Sequence, residues 1–184
     1  MTLDPMPTTT ADRRTVRIHT GSVLETRALG AALAAVARPG DRVALLGPLG
    51  AGKTQLAKGF GAGLGVTDEI TSPSFTLMAE YAGRLPLFHL DLYRLAGSAD
   101  AVEGGMLDER EDEGVTLTEW ADRLDASLDA DRLTIRIAPD DHDDGRAIFL
   151  DADPSGRHAG YLDAADRWAA GPSRSAASRG PGAA

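Results

Sequence analysis

The sequence predicts one α/β domain: a three-layer fold around a mixed parallel and antiparallel sheet. Three observations carry that prediction. A short apolar run, Asp41-Arg42-Val43-Ala44-Leu45-Leu46, leads into a glycine-rich octet and then into helical sequence. Two pairs of strand-like segments, one joined at Gly83-Arg84 and one around residues 140–145, read as hairpins, so the sheet is not wholly parallel. The chain has 184 residues, enough for one substantial core.

Taken in order, residues 1–14 carry Thr8-Thr9-Thr10 after two prolines, show no periodicity, and are expected to be disordered. Thr15 to Thr20 alternates and reads as a strand. Ser22, with Glu25 three residues on, offers a capping box. The helix it opens places Leu24, Ala28, Ala32, Leu33 and Val36 on one face, and Pro39-Gly40 ends it. The strand from Asp41 follows, then the octet, then a helix that runs until Gly63 and Gly65. Ser74 to Tyr81 and Leu85 to Tyr93 read as strands, as does Val115 to Trp120. Arg132 to Ala138 and Arg146 to Asp151 form the final hairpin. A last helix, roughly 155–169, puts Tyr161, Ala165 and Trp168 on one side. The Gly-, Ser-, Ala-, Pro- and Arg-rich tail 171–184 is expected to be disordered, which leaves 15–170 as the folded domain.

The octet Gly47-Pro48-Leu49-Gly50-Ala51-Gly52-Lys53-Thr54 fits the phosphate-binding loop G-x-x-x-x-G-K-[ST] without a mismatch. Its glycines let the backbone turn and approach a phosphate chain. Successive N–H groups then form an anion nest, to which the N-terminus of the following helix adds partial positive charge. Gly47, Leu49, Gly50, Ala51, Gly52, Lys53, Thr54 and Gln55 are therefore the expected nucleotide contacts, in a P-loop NTPase-like fold. Lys53 reaches the outer phosphates as a point charge, and the Thr54 hydroxyl is suited to Mg²⁺. Guanine recognition usually needs an Asn/Thr-Lys-x-Asp segment. The chain has no asparagine and only two lysines, both in or beside the loop, so ATP is the expected nucleotide.

A P-loop also needs carboxylates for Mg²⁺ and for the attacking water. Two apolar strands end in them, at Asp91 and Glu119. Asp91 is short and suits a fixed place in the metal shell, while the longer Glu119 suits orienting a water; the two roles are exchangeable from sequence alone. Ser72-Pro73-Ser74-Phe75-Thr76 is either a γ-phosphate-sensing segment or a polar loop that starts a strand. Trp120 either stacks on a base or packs in the core. His89, in an apolar strand, reads as a core histidine, and Arg84, Arg94 and Arg110 are candidate phosphate contacts. The run Asp108 to Glu113 reads as a solvated acidic face.

Composition narrows the classes. A net charge of −9 argues against a broad nucleic-acid surface. With no cysteine, disulfides and thiolate metal sites are excluded. No apolar run approaches the roughly 20 residues of a membrane span, and the expected location is the cytoplasm.

Together, Gly47 to Thr54, Ser72-Pro73-Ser74-Phe75-Thr76-Leu77, His89-Leu90-Asp91-Leu92-Tyr93-Arg94-Leu95 and Glu119-Trp120, in that order, resemble the bacterial TsaE (YjeE) family over about residues 16–150. The resemblance implies a slow, partner-dependent, Mg²⁺-requiring ATPase. It would work with TsaB-like and TsaD-like proteins that threonylcarbamoylate adenosine 37 of tRNAs reading ANN codons. The transfer itself would belong to the TsaD-like partner, and tRNA would be met only through the complex. Carried over, Lys53 and Thr54 hold phosphate and Mg²⁺, Asp91 serves the metal, Glu119 serves metal or water, and Trp120 lies near the nucleotide. Two departures stand out: Pro48 where the family often has Asp, and Ser74-Phe75 where Thr-Tyr or Thr-Phe is common. The alternative reading is a small-molecule P-loop kinase, which needs an acceptor pocket and usually an Arg-rich lid.

Overall fold

The computed structural model describes residues 13–95, 112–123, 131–140 and 145–171. Among them, seven strands form one sheet: β1 (Arg14–Thr20), β2 (Asp41–Leu46), β3 (Met78–Tyr81), β4 (Leu87–Asp91), β5 (Val115–Glu119), β6 (Leu133–Pro139) and β7 (Arg146–Ala152). Their order across the sheet is β1-β7-β6-β2-β5-β4-β3. The four central strands β6, β2, β5 and β4 run parallel. Antiparallel hairpin partners β7 and β3 flank them, and β1 adds to β7 at the edge. The sheet is mixed, as the two hairpin patterns predict.

Burial explains the sequence patterns. β1 alternates exposed and buried residues, as an edge strand covered on one face does. β4 and β5 are buried at every position, which is why they read as unbroken runs. Three helices, α1 (Val23–Ala34), α2 (Lys53–Gly63) and α3 (Ala159–Ala169), share one core with the sheet. Leu29 and Leu33 of α1, Leu56 and Phe60 of α2, and Tyr161 and Leu162 of α3 meet Val43, Leu45, Leu117 and Ile135 there. Phe88, Leu90, Leu92 and Leu95 form a smaller cluster with Leu77 and Trp120. Strand alternation places it on the opposite face. No helix among the described residues is long and apolar enough to cross a membrane.

The α1 face agrees with the expected one at Leu33 and Val36 and differs elsewhere. Leu24 is 74% exposed, and the buried residues are Thr26, Leu29, Gly30, Leu33 and Ala34. The reason is backbone contact with α2. A Cβ on Gly30 would lie 2.4 Å from the Leu56 carbonyl oxygen, and one on Gly59 would lie 2.0 Å from that of Arg27. The contact is made by small residues, which a hydrophobic pattern does not weigh. The cap forms largely as expected. The Ser22 hydroxyl accepts from the Glu25 N–H at 3.2 Å, but Glu25 reaches back to the Gly21 N–H, one residue earlier than in a capping box.

Several boundaries also move. β1 begins at Arg14, inside the segment expected to be disordered. Ser74 to Leu77 are not strand: they turn, the Leu77 N–H donates to the Pro73 carbonyl at 2.6 Å, and Leu77 adopts φ 66°. β5 stops before Trp120, whose φ of 59° breaks the extended backbone. α3 starts at Ala159 rather than near 155, because Ser155 and Gly156 are turned back on Asp153. The rest of both expected disordered tails, the turn at 141–144, and Arg110 with its acidic neighbours up to residue 111 lie outside the described residues.

At the N-terminal end of β2, Asp41 is 1% exposed and ties three segments together. Tyr161 Oη donates to it at 2.8 Å, Arg157 Nε at 3.1 Å and the Arg38 N–H at 2.9 Å. Burial and the neighbouring carboxylate push the Tyr161 phenol far above its ordinary range. The knot pins α3 to the strand whose other end carries the phosphate loop.

Candidate nucleotide-binding site

β2, β5 and β4 are adjacent and parallel, so their C-terminal ends meet at one edge of the sheet. Leu45 pairs with Glu119, and Glu119 pairs with Asp91. Register alone thus brings both acids beside the loop that leaves β2. Ligands of open α/β sheets bind at this edge.

The loop itself has the backbone the motif requires. Gly47 has φ 142°, and a Cβ there would sit 2.2 Å from the Ile137 carbonyl oxygen of β6. Only glycine lets the chain leave β2 so close to its neighbour. Gly52 caps α2 at φ 111° and so aims the first turn of the helix. The residues Leu49 to Gln55 line a cavity of about 400 Å³ together with Ser72, Ser74, Asp91, Tyr93, Arg94, Glu119 and Trp120. The volume suits a small-molecule ligand.

Lys53 is 4% exposed. Its Nζ donates to the Gly47 carbonyl at 2.8 Å and the Pro48 carbonyl at 2.9 Å, and lies 4.0 Å from the centre of the Trp120 ring. Burial lowers its pKa, while Glu119, Asp91 and Asp122 oppose the shift. Glu119, 3% exposed, accepts at Oε1 from the Thr54 hydroxyl at 2.8 Å and is 3.0 Å from His89 Nε2. Asp91 accepts from the Ser72 hydroxyl and, at 3.0 Å, from the Tyr93 N–H.

Leu49 to Gln55, Asp91, Glu119 and Trp120 therefore all line the cavity, and Gly47 shapes the loop from just outside that lining. Trp120 joins two alternatives: it packs on the smaller core cluster and against Tyr93, and it also lines the cavity. Ser72 and Ser74 face the cavity, whereas Thr76 is exposed and turned to the Pro73 carbonyl. Arg94 lines the cavity with its guanidinium 4.1 Å over the Phe75 ring. Arg84 does not: it donates to the Ala34 and Ala37 carbonyls and caps the end of α1.

Arg146 is the contributor that sequence reading misses. From the start of β7 its Nε donates to the Ala51 carbonyl at 2.8 Å, bracing the loop from outside the motif. Nothing local marks it, since the partners are 95 residues apart.

Nucleotide and Mg²⁺ both fit these residues. The cradle is backbone N–H and a lysine ammonium, which suits a polyphosphate. Thr54, Asp91 and Glu119 supply hard oxygen donors, which suit Mg²⁺. Among the described residues no group of three or more His, Cys, Asp or Glu forms a metal cluster. A Mg²⁺ held partly by phosphate oxygens does not need one.

The family model described as threonylcarbamoyl adenosine biosynthesis protein TsaE matches residues 20–148. This chain belongs to the TsaE family. The TsaE of Streptomyces coelicolor is 40% identical over 146 residues, covering 78% of this chain and 93% of that one. The TsaE of Bacillus subtilis is 41% identical over 126 residues, covering 68% and 78%. Both are named as tRNA threonylcarbamoyladenosine biosynthesis proteins. The crystal structure of Bacillus subtilis YdiB superposes with a TM-score of 0.65 at 36% identity, over 84% of this chain and 96% of that one. The matched TsaE region takes in the P-loop, both carboxylates and Arg146.

Proposed function

We propose that this TsaE-family protein is a Mg²⁺-dependent ATPase that supports threonylcarbamoylation of adenosine 37 in tRNA. Its partners are a TsaB-like and a TsaD-like protein, and the transfer belongs to the TsaD-like one. The observation that carries the reading is the meeting of Lys53, Thr54, Asp91 and Glu119 around one cavity at the P-loop.

The chain's own groups have distinct tasks. The loop N–H groups and the α2 N-terminus hold the phosphates. Lys53 exchanges its two loop carbonyls for phosphate oxygens. Thr54 and Asp91 would hold Mg²⁺, which would supply Lewis-acid neutralisation of the phosphate charge. Glu119 orients the attacking water or completes the metal shell. Trp120 and Tyr93 wall the cavity. Arg94, at the mouth, is placed to meet phosphate or a partner. With a net charge of −9, the subunit is suited to meeting tRNA only through its partners.

The test is the threonylcarbamoyladenosine content of bulk tRNA after depletion of the protein, with rescue by wild type or Lys53→Ala. Loss of the nucleoside, restored by wild type alone, is expected. Unchanged modification after confirmed depletion would remove the tRNA assignment. An ATP hydrolysis assay with and without the two partners separates the ATPase from a small-molecule kinase, which would instead transfer phosphate to an added acceptor.

A further inference from the structure

His89 lies outside every role assigned above. It is fully buried, and alternation along β4 places it on the same sheet face as Leu87 and Asp91. Its cross-strand partner on β5 is Leu117, one same-face step before Glu119. A residue needed there only to fill the core would be apolar, as Leu87 and Leu117 are. The imidazole is instead half-satisfied. Nδ1 is buried with no partner among the described residues, and Nε2 is 3.0 Å from Glu119 Oε1. Keeping an unpartnered polar atom in a core costs free energy. The return for that cost is one charge-assisted hydrogen bond, in which Nε2–H donates to the carboxylate.

The same oxygen also accepts from Thr54. Thr54 is the hydroxyl that a P-loop offers to Mg²⁺ through an oxygen lone pair, which leaves its O–H on Glu119 but ties that bond to wherever the loop and metal hold Thr54. His89 comes from inside the sheet and is not itself among the residues that line the cavity, so its bond to Glu119 does not depend on what the cavity holds. We infer that His89 is the positioning residue of Glu119: Nε2–H fixes the carboxylate at the sheet edge and keeps it fixed through the nucleotide cycle. The inference rests on the ATPase reading.

His89→Phe fills the space without a donor, whereas His89→Gln keeps an amide N–H near the position of Nε2. The variants are compared by thermal unfolding with and without Mg-ADP, by nucleotide Kd, and by kcat and KM for ATP with the partners present. His89→Phe is expected to lower kcat about ten- to a hundredfold while Kd and the Mg-ADP shift in Tm stay near wild type. His89→Gln is expected to recover most of that kcat. A His89→Phe enzyme with wild-type kcat overturns the inference, as does a folded His89→Gln enzyme no better than His89→Phe. If His89→Phe does not fold, His89→Asn replaces it, because its shorter amide reaches only the Nδ1 position; equal activity of the Asn and Gln variants overturns the inference. Wild type that binds nucleotide but never hydrolyses it defeats the ATPase reading and this inference together. Hydrolysis that His89→Phe leaves intact defeats the inference alone.

Discussion

At the scale of single residues the site is a set of polar groups that already satisfy one another. Thr54 bonds Glu119, Ser72 bonds Asp91, and Lys53 bonds two carbonyls of its own loop. Phosphate would replace the loop carbonyls on Lys53, and a metal would use an oxygen lone pair of Thr54 while its O–H stays on Glu119. Glu119→Gln removes a charge but little volume, and it is expected to cut ATP hydrolysis by about 10²–10³ while leaving nucleotide Kd within a few-fold. Single-turnover hydrolysis beside a binding titration checks both halves; equal losses in each would show that Glu119 only binds. Arg146 acts one step further out, by holding the Ala51 carbonyl away from the cavity. Arg146→Ala is expected to weaken MgATP binding about tenfold with kcat little changed, because a loosened nest holds phosphate less well in ground and transition state alike. A fall in kcat with unchanged binding would refute the bracing role.

At the scale of elements, what the sequence reveals depends on how local the cause is. The order of strands and helices, the two hairpins and the Ser22 cap follow from periodicity and turn chemistry within a few residues, and the structure agrees with them. The meeting of the glycine-rich octet with Asp91 and Glu119 is legible because all three stand at strand ends, which local sequence marks. The positive φ of Leu77 and Trp120 was not, because neither residue type favours it; tertiary contact imposes both. Arg146 was hidden because its contact depends on how β7 lies beside the loop. The α1 face is only partly legible: Leu33 is buried as its spacing suggests, but the glycine-mediated backbone contact turns Leu24 out to solvent. That contact gives a signed prediction. Gly30→Ala should raise helix propensity by about 1 kcal/mol yet destabilise the fold, since its Cβ would meet backbone at 2.4 Å. Gly160→Ala in α3, with nothing within 4 Å of the new Cβ, should stabilise by about 0.5–1 kcal/mol. Chemical denaturation of the two variants checks this; matching signs would mean that the α1–α2 contact does not set the packing.

At the scale of the whole molecule, β2 runs between two polar centres. Its C-terminal end carries the proposed nucleotide site, and its N-terminal end carries the Asp41 knot, to which His158 belongs. His158 is 2% exposed. Its Nε2 accepts the Arg42 N–H at 3.2 Å, which leaves Nδ1–H to donate to Asp131 at 3.3 Å. A proton on Nε2 would break the first bond. Burial lowers the His158 pKa below its ordinary 6.5, although Asp41 and Asp131 pull it upward and Arg157 adds to the lowering. Below about pH 6.5 the unfolded chain takes up a proton that the native state refuses, so the unfolded state binds more protons and stability rises with pH. The contribution of His158 is therefore complete above pH 6.5 and is lost as pH falls from there toward the depressed native pKa. Its slope is at most about 1.4 kcal/mol per pH unit. His158→Gln keeps an acceptor for the Arg42 N–H but does not titrate. The gap in unfolding free energy between wild type and this variant is expected to be constant above pH 7 and to shrink between pH 6.5 and 5, as wild type alone loses the His158 contribution. A gap that stays constant across that interval would mean that His158 titrates alike in the folded and unfolded chain.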